Sequence, residues 1–343
     1  MKVLVTGGAG FIGSNFIHYV LSLPAGHSVV NYDALTYAGN LLNLERVASH
    51  PAYTFARGNI CDGPAVRAAM QGCDAVVHFA AESHVDRSIY EPAPIIETNV
   101  RGTLVLLQVA RELEISRFLH VSTDEVYGDI PSGRSSDENY PLQPNSPYSA
   151  SKAASDMLVR CFVRTYGFPG IITRASNNYG PYQFPEKFVP LMIANALEDK
   201  PLPIYGDGMQ ERDWLYVEDH CRALVMVLEH GREGEVYNIG AGNTEPNLEM
   251  VRRILRSLDK PESLMSRVAD RPGHDRRYAL DCSKISRELG WSPRMNLEQG
   301  IQQTIAWYRS NGAWLQQVRN GDYQQYYDKY YTNRENSLKT VTA

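Results

Sequence analysis

Three groups of residues in this chain have types and spacings that suit chemistry. The first is Thr6-Gly7-Gly8-Ala9-Gly10-Phe11-Ile12-Gly13, which lies between an apolar run and an amphipathic stretch. Glycines at such a turn let the backbone approach a pyrophosphate closely, and the helix that follows offers free N–H groups and the positive end of its dipole. Asp33 stands 20 residues after Gly13, at the end of the next apolar run. A carboxylate there accepts from a ribose 2′-hydroxyl and repels a 2′-phosphate, which favours NAD over NADP. The second group is Tyr148 and Lys152, four apart in Pro147-Tyr148-Ser149-Ala150-Ser151-Lys152 and so on one face of a helix. An ammonium beside a phenol favours the phenolate and makes the tyrosine a usable general base. The third is Thr123-Asp124-Glu125, which follows an apolar run. Two adjacent carboxyls there either cap a short helix or divide acid and base work between them.

The elements that must position these groups are legible as an alternating pattern. Lys2–Thr6, Ser28–Tyr32, Ala75–Phe79, Arg117–Ser122 and Pro169–Arg174 read as buried strands. Ile12–Leu23, Thr98–Glu112 and Tyr148–Tyr166 have helical periodicity and length. This predicts an α/β fold, a Rossmann-type doubly wound parallel sheet over residues 1–175. In such sheets ligands bind beyond the carboxyl ends of the strands, which is where Thr123-Asp124-Glu125 falls. From residue 176 prolines cluster (Pro181, Pro185, Pro190, Pro201, Pro203) and the rhythm breaks. A smaller, interleaved α/β substrate domain over 176–330 is expected, with a segment near 213–241, including Val236–Ile239, returning to complete the sheet. Residues 331–343 read as a polar tail.

Composition narrows the class. The 343 residues carry a net charge of −5, which argues against a nucleic-acid partner. The five cysteines are scattered, with no CxxC pair and no histidine cluster, so neither a disulfide framework nor a metal site is expected. Met1-Lys2 opens directly on a strand, and no apolar run of membrane-spanning length exists, so a cytoplasmic protein is expected.

The glycine turn together with the Tyr148/Lys152 pair resembles the extended short-chain dehydrogenase/reductase family, which acts largely on nucleotide sugars. Ser122–Gly128 (STDEVYG) is similar to the signature of its dTDP-glucose 4,6-dehydratases, where related epimerases carry small residues in place of the acids. His78–Ser88, Ser176–Pro181, Arg212–His220, Ala269–Tyr278 and Lys284–Trp291 match the same group, so the resemblance covers roughly residues 1–330. It implies a cycle on bound NAD: oxidation at C4 of glucose, loss of water across C5 and C6, and return of hydride to C6. By resemblance Tyr148 is the base at O4 and Thr123 bonds the same oxygen. Glu125 is the C5 base, and Asp124, held protonated, is the C6 acid.

The resemblance also implies binding residues. Around the cofactor it places Gly7, Gly10, Phe11, Ile12, Gly13, Asp33, Asn59, Ile60, Ala80, Ala81, Ser83, Thr98, Asn178, Tyr148 and Lys152. Around the substrate it places Ser83, Thr123, Asn177, Lys187, Arg212, Asn247, Arg271 and His274, with Pro203-Ile204-Tyr205 at the base. The arginines suit phosphate as planar donors, although either alone would more often be a surface salt-bridge former; His274 serves equally well as a structural histidine. Two departures stand out. Asn59-Ile60 replaces the usual Asp-Ile near adenine, and the loop between Gly128 and Tyr148, with Asp137 and Glu138, is short. The same chemistry on UDP- or CDP-glucose differs only in the base pocket. A 4-epimerase is opposed by the acid pair, and a noncatalytic NAD-sensing scaffold by the intact tyrosine and lysine. The family implies a homodimer, pairing helices 98–112 and 148–166 into a four-helix bundle. The 4-keto-6-deoxy product is a branch point to rhamnose and other deoxysugars.

Overall fold

The structure is a computed structural model that describes residues 1–319. The expected polar tail and residues 320–330 lie outside the described residues. Among the described residues twelve strands occur in chain order: β1 (Lys2–Thr6), β2 (Ser28–Asp33), β3 (Tyr53–Arg57), β4 (Ala75–His78), β5 (Arg117–Thr123), β6 (Gly170–Ala175), β7 (Asn177–Tyr179), β8 (Leu202–Tyr205), β9 (Glu211–Tyr216), β10 (Val236–Ile239), β11 (Thr244–Pro246) and β12 (Met265–Val268). Seven of them form one sheet in the order β3-β2-β1-β4-β5-β6-β10, every neighbouring pair parallel. It is a Rossmann-type fold.

Both faces of this sheet are covered, which is why its strands read as unbroken apolar runs. Val3, Val5, Val77 and Leu119 enter one core with the helices Phe11–Ser22 and Val217–His230, while Leu4, Val76 and Phe118 enter a second with Thr103–Glu112. The strand order turns at β1, and a crevice opens there beyond the carboxyl ends of β1 and β4. β3 was not foreseen: Tyr53–Arg57 sits at the sheet edge with only partial burial, so no apolar run announces it.

The helix expected over Thr98–Glu112 is longer and irregular. Pro92–Ile96 leads into a wide π turn at Glu97–Gly102 before the regular helix Thr103–Glu112. The Asn99 carbonyl there accepts the hydroxyls of Thr103 and Ser155, at 2.5 and 2.6 Å. The helix Pro147–Tyr166 begins at a Ser146/Ser149 capping box with proline in its first turn and ends on left-handed Gly167, so its boundaries follow from local sequence.

After β6 the chain builds a second layer system. β7, β9 and β11 form a small sheet, and β8 pairs with β12. Its core gathers Trp214, Tyr216, Met250, Ile254, Ile301, Ile305 and Trp314. Of the segment 213–241, the helix Val217–His230 and β10 go to the large sheet, whereas residues up to Tyr216 stay in the small one. Among the described residues no helix is long and apolar enough to cross a membrane.

One buried ion network crosses the large sheet. Asp156 is wholly enclosed, accepts from Arg174 Nε at 2.8 Å and lies 3.5 Å from His120 Nε2. Removing the carboxylate strands the guanidinium. Asp156→Ala is therefore expected to lower unfolding stability in urea by about 3–5 kcal/mol, and Asp156→Leu with Arg174→Met to recover most of it.

Candidate active site

The glycine turn is shaped by contacts that no side chain tolerates. Gly7 has φ +70°, and a Cβ on it would stand 2.7 Å from the Ala80 backbone; one on Gly13 would stand 2.4 Å from Gly7 O. Gly10 precedes the helix Phe11–Ser22 with no side-chain cap. The first N–H groups of that helix, at Phe11, Ile12 and Gly13, have no acceptor within it and border an open cleft of about 320 Å³. Asp33, at the end of β2, accepts from the N–H of Ala9 at 2.9 Å and of Leu35 at 2.7 Å. Burial pushes its carboxyl up, and those two amides oppose the shift. Each oxygen keeps a further lone pair for a ribose hydroxyl. Uncapped amides, a glycine cradle and a carboxylate on one cleft fit a dinucleotide.

The same cleft is walled by Asn59, Ile60, Ala80, Ala81, Ser83, Thr98 and Asn178. Two of these are partly committed. Asn59 Oδ1 accepts from the Cys61 N–H at 2.9 Å, so only part of its capacity faces the cleft. Asn178 donates to Ser176 O and meets His220 Nδ1, both at 2.9 Å. The short loop 129–147 does not reach the cleft through its acids: Glu138 Oε1 accepts the Asn238 N–H, and Asp137 bonds within the loop.

Tyr148, Lys152, Thr123, Asp124 and Glu125 close the deep end. Thr123 caps the short turn Asp124–Tyr127, and its hydroxyl donates to Asp124 Oδ1 at 3.2 Å. Lys152 Nζ donates to Val121 O at 2.9 Å; burial lowers it to about 8, and Asp156, one turn on, opposes the drop. The expected depression of Tyr148 by this ammonium is not what the surroundings give. Burial first, then Glu125 and Asp124, hold the phenol above its usual range, against a lowering contact from Thr123. The two carboxyls differ. Burial and Glu125 push Asp124 well up against Arg212, and its Oδ2 has no partner among the described residues. Glu125 is also raised by burial, but Arg271, Arg212 and Lys187 all oppose the shift.

A second cavity, of about 170 Å³, continues from the first; Glu125, Asn177, Glu186 and Lys187 line both. Its walls include Pro203, Ile204, Tyr205, Arg212, Asn247, Arg271 and His274. The two arginines are not equivalent. Arg212 gives its terminal nitrogens to the carbonyls of Glu211, Asp275 and Arg276 and lies 4.2 Å over the Tyr278 ring. Arg271 bonds Asp86 Oδ1 at 3.2 Å, and its buried Nε has no partner among the described residues. His274 Nδ1 lies 2.6 Å from Asp270 Oδ1. Lys187 donates to the Ser83 carbonyl at 2.6 Å. Asn177 Oδ1 and Asn247 Oδ1 are likewise buried without partners.

Among the wall residues that sequence reasoning missed, four carry polar groups of note: Asp86, Glu186, Gln210 and Trp214. Asp86 binds both Arg271 and the Tyr205 hydroxyl, and Glu186 pairs with Arg87. Gln210 Oε1 and Trp214 Nε1 are buried polar atoms without partners among the described residues. Asp86 and Trp214 lie inside motifs already noted, His78–Ser88 and Arg212–His220, and Glu186 adjoins Lys187; Gln210 carries no local signal. Among the described residues no three His, Cys, Asp or Glu side chains gather as a metal site.

A parallel sheet in this order, a glycine turn with its acid, and a tyrosine and lysine one helical turn apart define an extended short-chain dehydrogenase/reductase. Residues 4–304 match the family model described as GDP-mannose 4,6 dehydratase. A dTDP-glucose 4,6-dehydratase of Shigella flexneri is 51% identical over 98% of this chain and 100% of its own length. A dTDP-glucose 4,6-dehydratase from Streptomyces venezuelae, solved with NAD and a second ligand bound, superposes with a TM-score of 0.90 at 50% identity, covering 93% of this chain and 100% of that one. A UDP-glucose 4-epimerase from Thermotoga maritima, solved with UDP-glucose, gives 0.84 at 31% identity, over 90% and 99%. The chain belongs to the nucleotide-sugar 4,6-dehydratase family, and among its relatives it stands with the dTDP-glucose 4,6-dehydratases.

Hydrogen bonds to a charged group are worth about 1.5–3 kcal/mol. Asp33→Ala is therefore expected to weaken NAD binding about 10- to 100-fold in a fluorescence titration while weakening NADP much less.

Proposed function

We propose that this protein converts dTDP-glucose to dTDP-4-keto-6-deoxyglucose and water. The observation that carries the reading is the pair of adjacent, enclosed carboxyls in unequal fields beside Tyr148. A plain oxidation or epimerisation at C4 has no work for two such groups. Elimination needs both, one to take a proton from carbon and one to give a proton to a leaving hydroxyl. The glycine turn and Asp33 would hold NAD, which would supply the hydride acceptor for C4 and the hydride donor for C6.

The chain's own residues supply the proton transfers. Tyr148 takes the O4 proton, and Thr123 holds the same oxygen. The C4 ketone acidifies the C5 proton, which Glu125 removes; Arg271, Arg212 and Lys187 oppose the burial that raises this carboxyl. Asp124, raised by burial and by its neighbour, holds a proton and delivers it to the departing C6 hydroxyl. Arg271, Arg212 and Lys187 furnish positive charge for the diphosphate, and the cavity between Tyr205, Trp214 and Asn247 takes the base.

With dTDP-glucose in deuterium oxide and no added NAD, NMR is expected to show a 4-keto-6-deoxy sugar carrying deuterium at C5. Recovery of dTDP-galactose instead means an epimerase, and turnover of UDP-glucose alone reassigns the base. Tyr148→Phe is expected to cut kcat by about 10²–10⁴ while retaining bound NAD.

The working unit in this reading is a cytoplasmic homodimer. Ile96, Met157 and Tyr166 are large apolar side chains exposed on the helices that flank the cleft, and a second copy laying the same helices across them would complete a four-helix bundle. Light scattering is expected to give twice the chain mass, and Met157→Glu to shift it toward one.

A further inference from the structure

A line of contacts runs from the C-terminal helices to the back of the phosphate turn. The Trp314 indole, on the helix Gly312–Val318, donates to Asn43 Oδ1 at 2.8 Å across 271 positions of chain. Asn43 donates in turn from Nδ2 to the Ala9 carbonyl at 2.9 Å. Both residues are buried, and neither lines the cofactor cleft. Ala9 lies between Gly7 and Gly10, which do line it. Asp33 holds the N–H of residue 9, and its carbonyl takes the Asn40 N–H as well as Asn43. Residue 9 is thus gripped from the cleft side by Asp33 and from behind by an amide whose own acceptor is filled by Trp314.

A second tie joins the same partners. Tyr182 sits at φ +66°, a conformation that a bulky residue keeps only where its surroundings over-determine it. Its ring stacks on His18 of the first helix at 5.6 Å and meets Trp307 at 4.8 Å and Trp314 at 6.3 Å. Asn15, also on the first helix, donates to Pro181 O, and His18 Nε2 lies 2.7 Å from Asn43 O. The helix whose uncapped N-terminus faces the cleft is therefore pinned to the aromatic cluster at its middle and to Asn43 behind its start.

We propose that Trp314 and Asn43 are positioning residues for the phosphate-binding turn, through which the helix Gly312–Val318 holds the turn in the shape that receives the cofactor pyrophosphate. Without the indole N–H, the enclosed Asn43 oxygen loses its donor and the amide no longer has one fixed orientation. Ala9 then keeps only Asn40 on its carbonyl, and the turn gains freedom that cofactor binding must remove. The proposal rests on the NAD reading of the cleft.

The test measures NAD itself, by titration of protein stripped of nucleotide and by the rate at which loaded protein releases it. Trp314→Phe keeps the ring and removes the N–H; it is expected to bind NAD about three- to tenfold more weakly, as for loss of one neutral hydrogen bond. Asn43→Ala should weaken binding at least as much, and the double variant no further than Asn43→Ala alone, because the two act in series. KM for dTDP-glucose at saturating NAD should not move. Trp307→Phe, which alters the same cluster without a bond to Asn43, should stay within about twofold of wild type. Unchanged NAD affinity in Trp314→Phe overturns the proposal, as does an equal loss in Trp307→Phe or additive losses in the double variant. Wild-type protein that takes up no NAD overturns the cofactor reading instead.

Discussion

Two carboxyl groups on adjacent residues, one buried and one partly buried at the end of the cleft, cannot both ionise without help, because desolvation and mutual repulsion each favour the neutral form. The fold resolves this by giving them unequal neighbours. Asp124 has Arg212 against it but also Asp213 and Glu125 beside it, while Glu125 is opposed by Arg271, Arg212 and Lys187. Those three cations come from separate stretches: Lys187 just before the helix Phe188–Leu197, Arg212 on β9, and Arg271 beyond β12. The interleaved course of the chain is the means of bringing them to one end of β5. It leaves the large sheet after β6, supplies Lys187 and Arg212, returns through β10, and leaves again to supply Arg271.

The helix Pro147–Tyr166 solves the companion problem of keeping a lysine charged in a closed site. Tyr148, Lys152 and Asp156 recur at intervals of four and share one face. Burial drives Lys152 down, and Asp156 is the carboxylate that opposes it. Asp156 is itself shared with Arg174, whose guanidinium also reaches the Tyr127 hydroxyl, and Tyr127 closes the turn that carries Asp124 and Glu125. The helix that carries Tyr148 and the turn that carries Asp124 and Glu125 are thus joined through one buried ion pair behind the site. The Tyr148 phenol is held high by burial and two carboxyls while its lysine donates to a backbone carbonyl, so the whole charge set of the cleft, and not one neighbouring ammonium, sets its field.

Much of this was legible in the sequence, for reasons that are local. The strands of the large sheet are apolar on both faces, so Val3-Leu4-Val5 and Ala75-Val76-Val77 declare themselves without partners in view. Gly7, Gly13 and Asp33 are separated by spacings that a strand, a turn and a helix impose, and Ser146-Pro147 and Gly167 mark the ends of their helix by capping chemistry alone. What stayed hidden depends on distant contacts. Edge strand β3 is half exposed, the π turn at Glu97–Gly102 answers to Ser155 on another helix, and Asp86 reads as an ordinary first-turn acid until Arg271 arrives 185 positions later.

The arginines show where residue type stops being informative. From sequence, Arg212 and Arg271 are equal candidates for a planar donor to phosphate. In the fold, Arg212 is spent on three carbonyls and stacked on Tyr278, so what remains of it is a fixed charge that both carboxyls feel. Arg271 is held at one nitrogen by Asp86 and keeps a buried Nε–H without an acceptor among the described residues. An enclosed donor left unpaired is costly, and its retention beside Asn177, Asn247, Gln210 and Trp214, each with a polar atom in the same condition, marks the cavity as a surface shaped for a polar occupant. One arginine is spent on backbone carbonyls and the other keeps an Nε–H without a partner among the described residues, a division that follows from which carbonyls lie within reach and is therefore a property of topology.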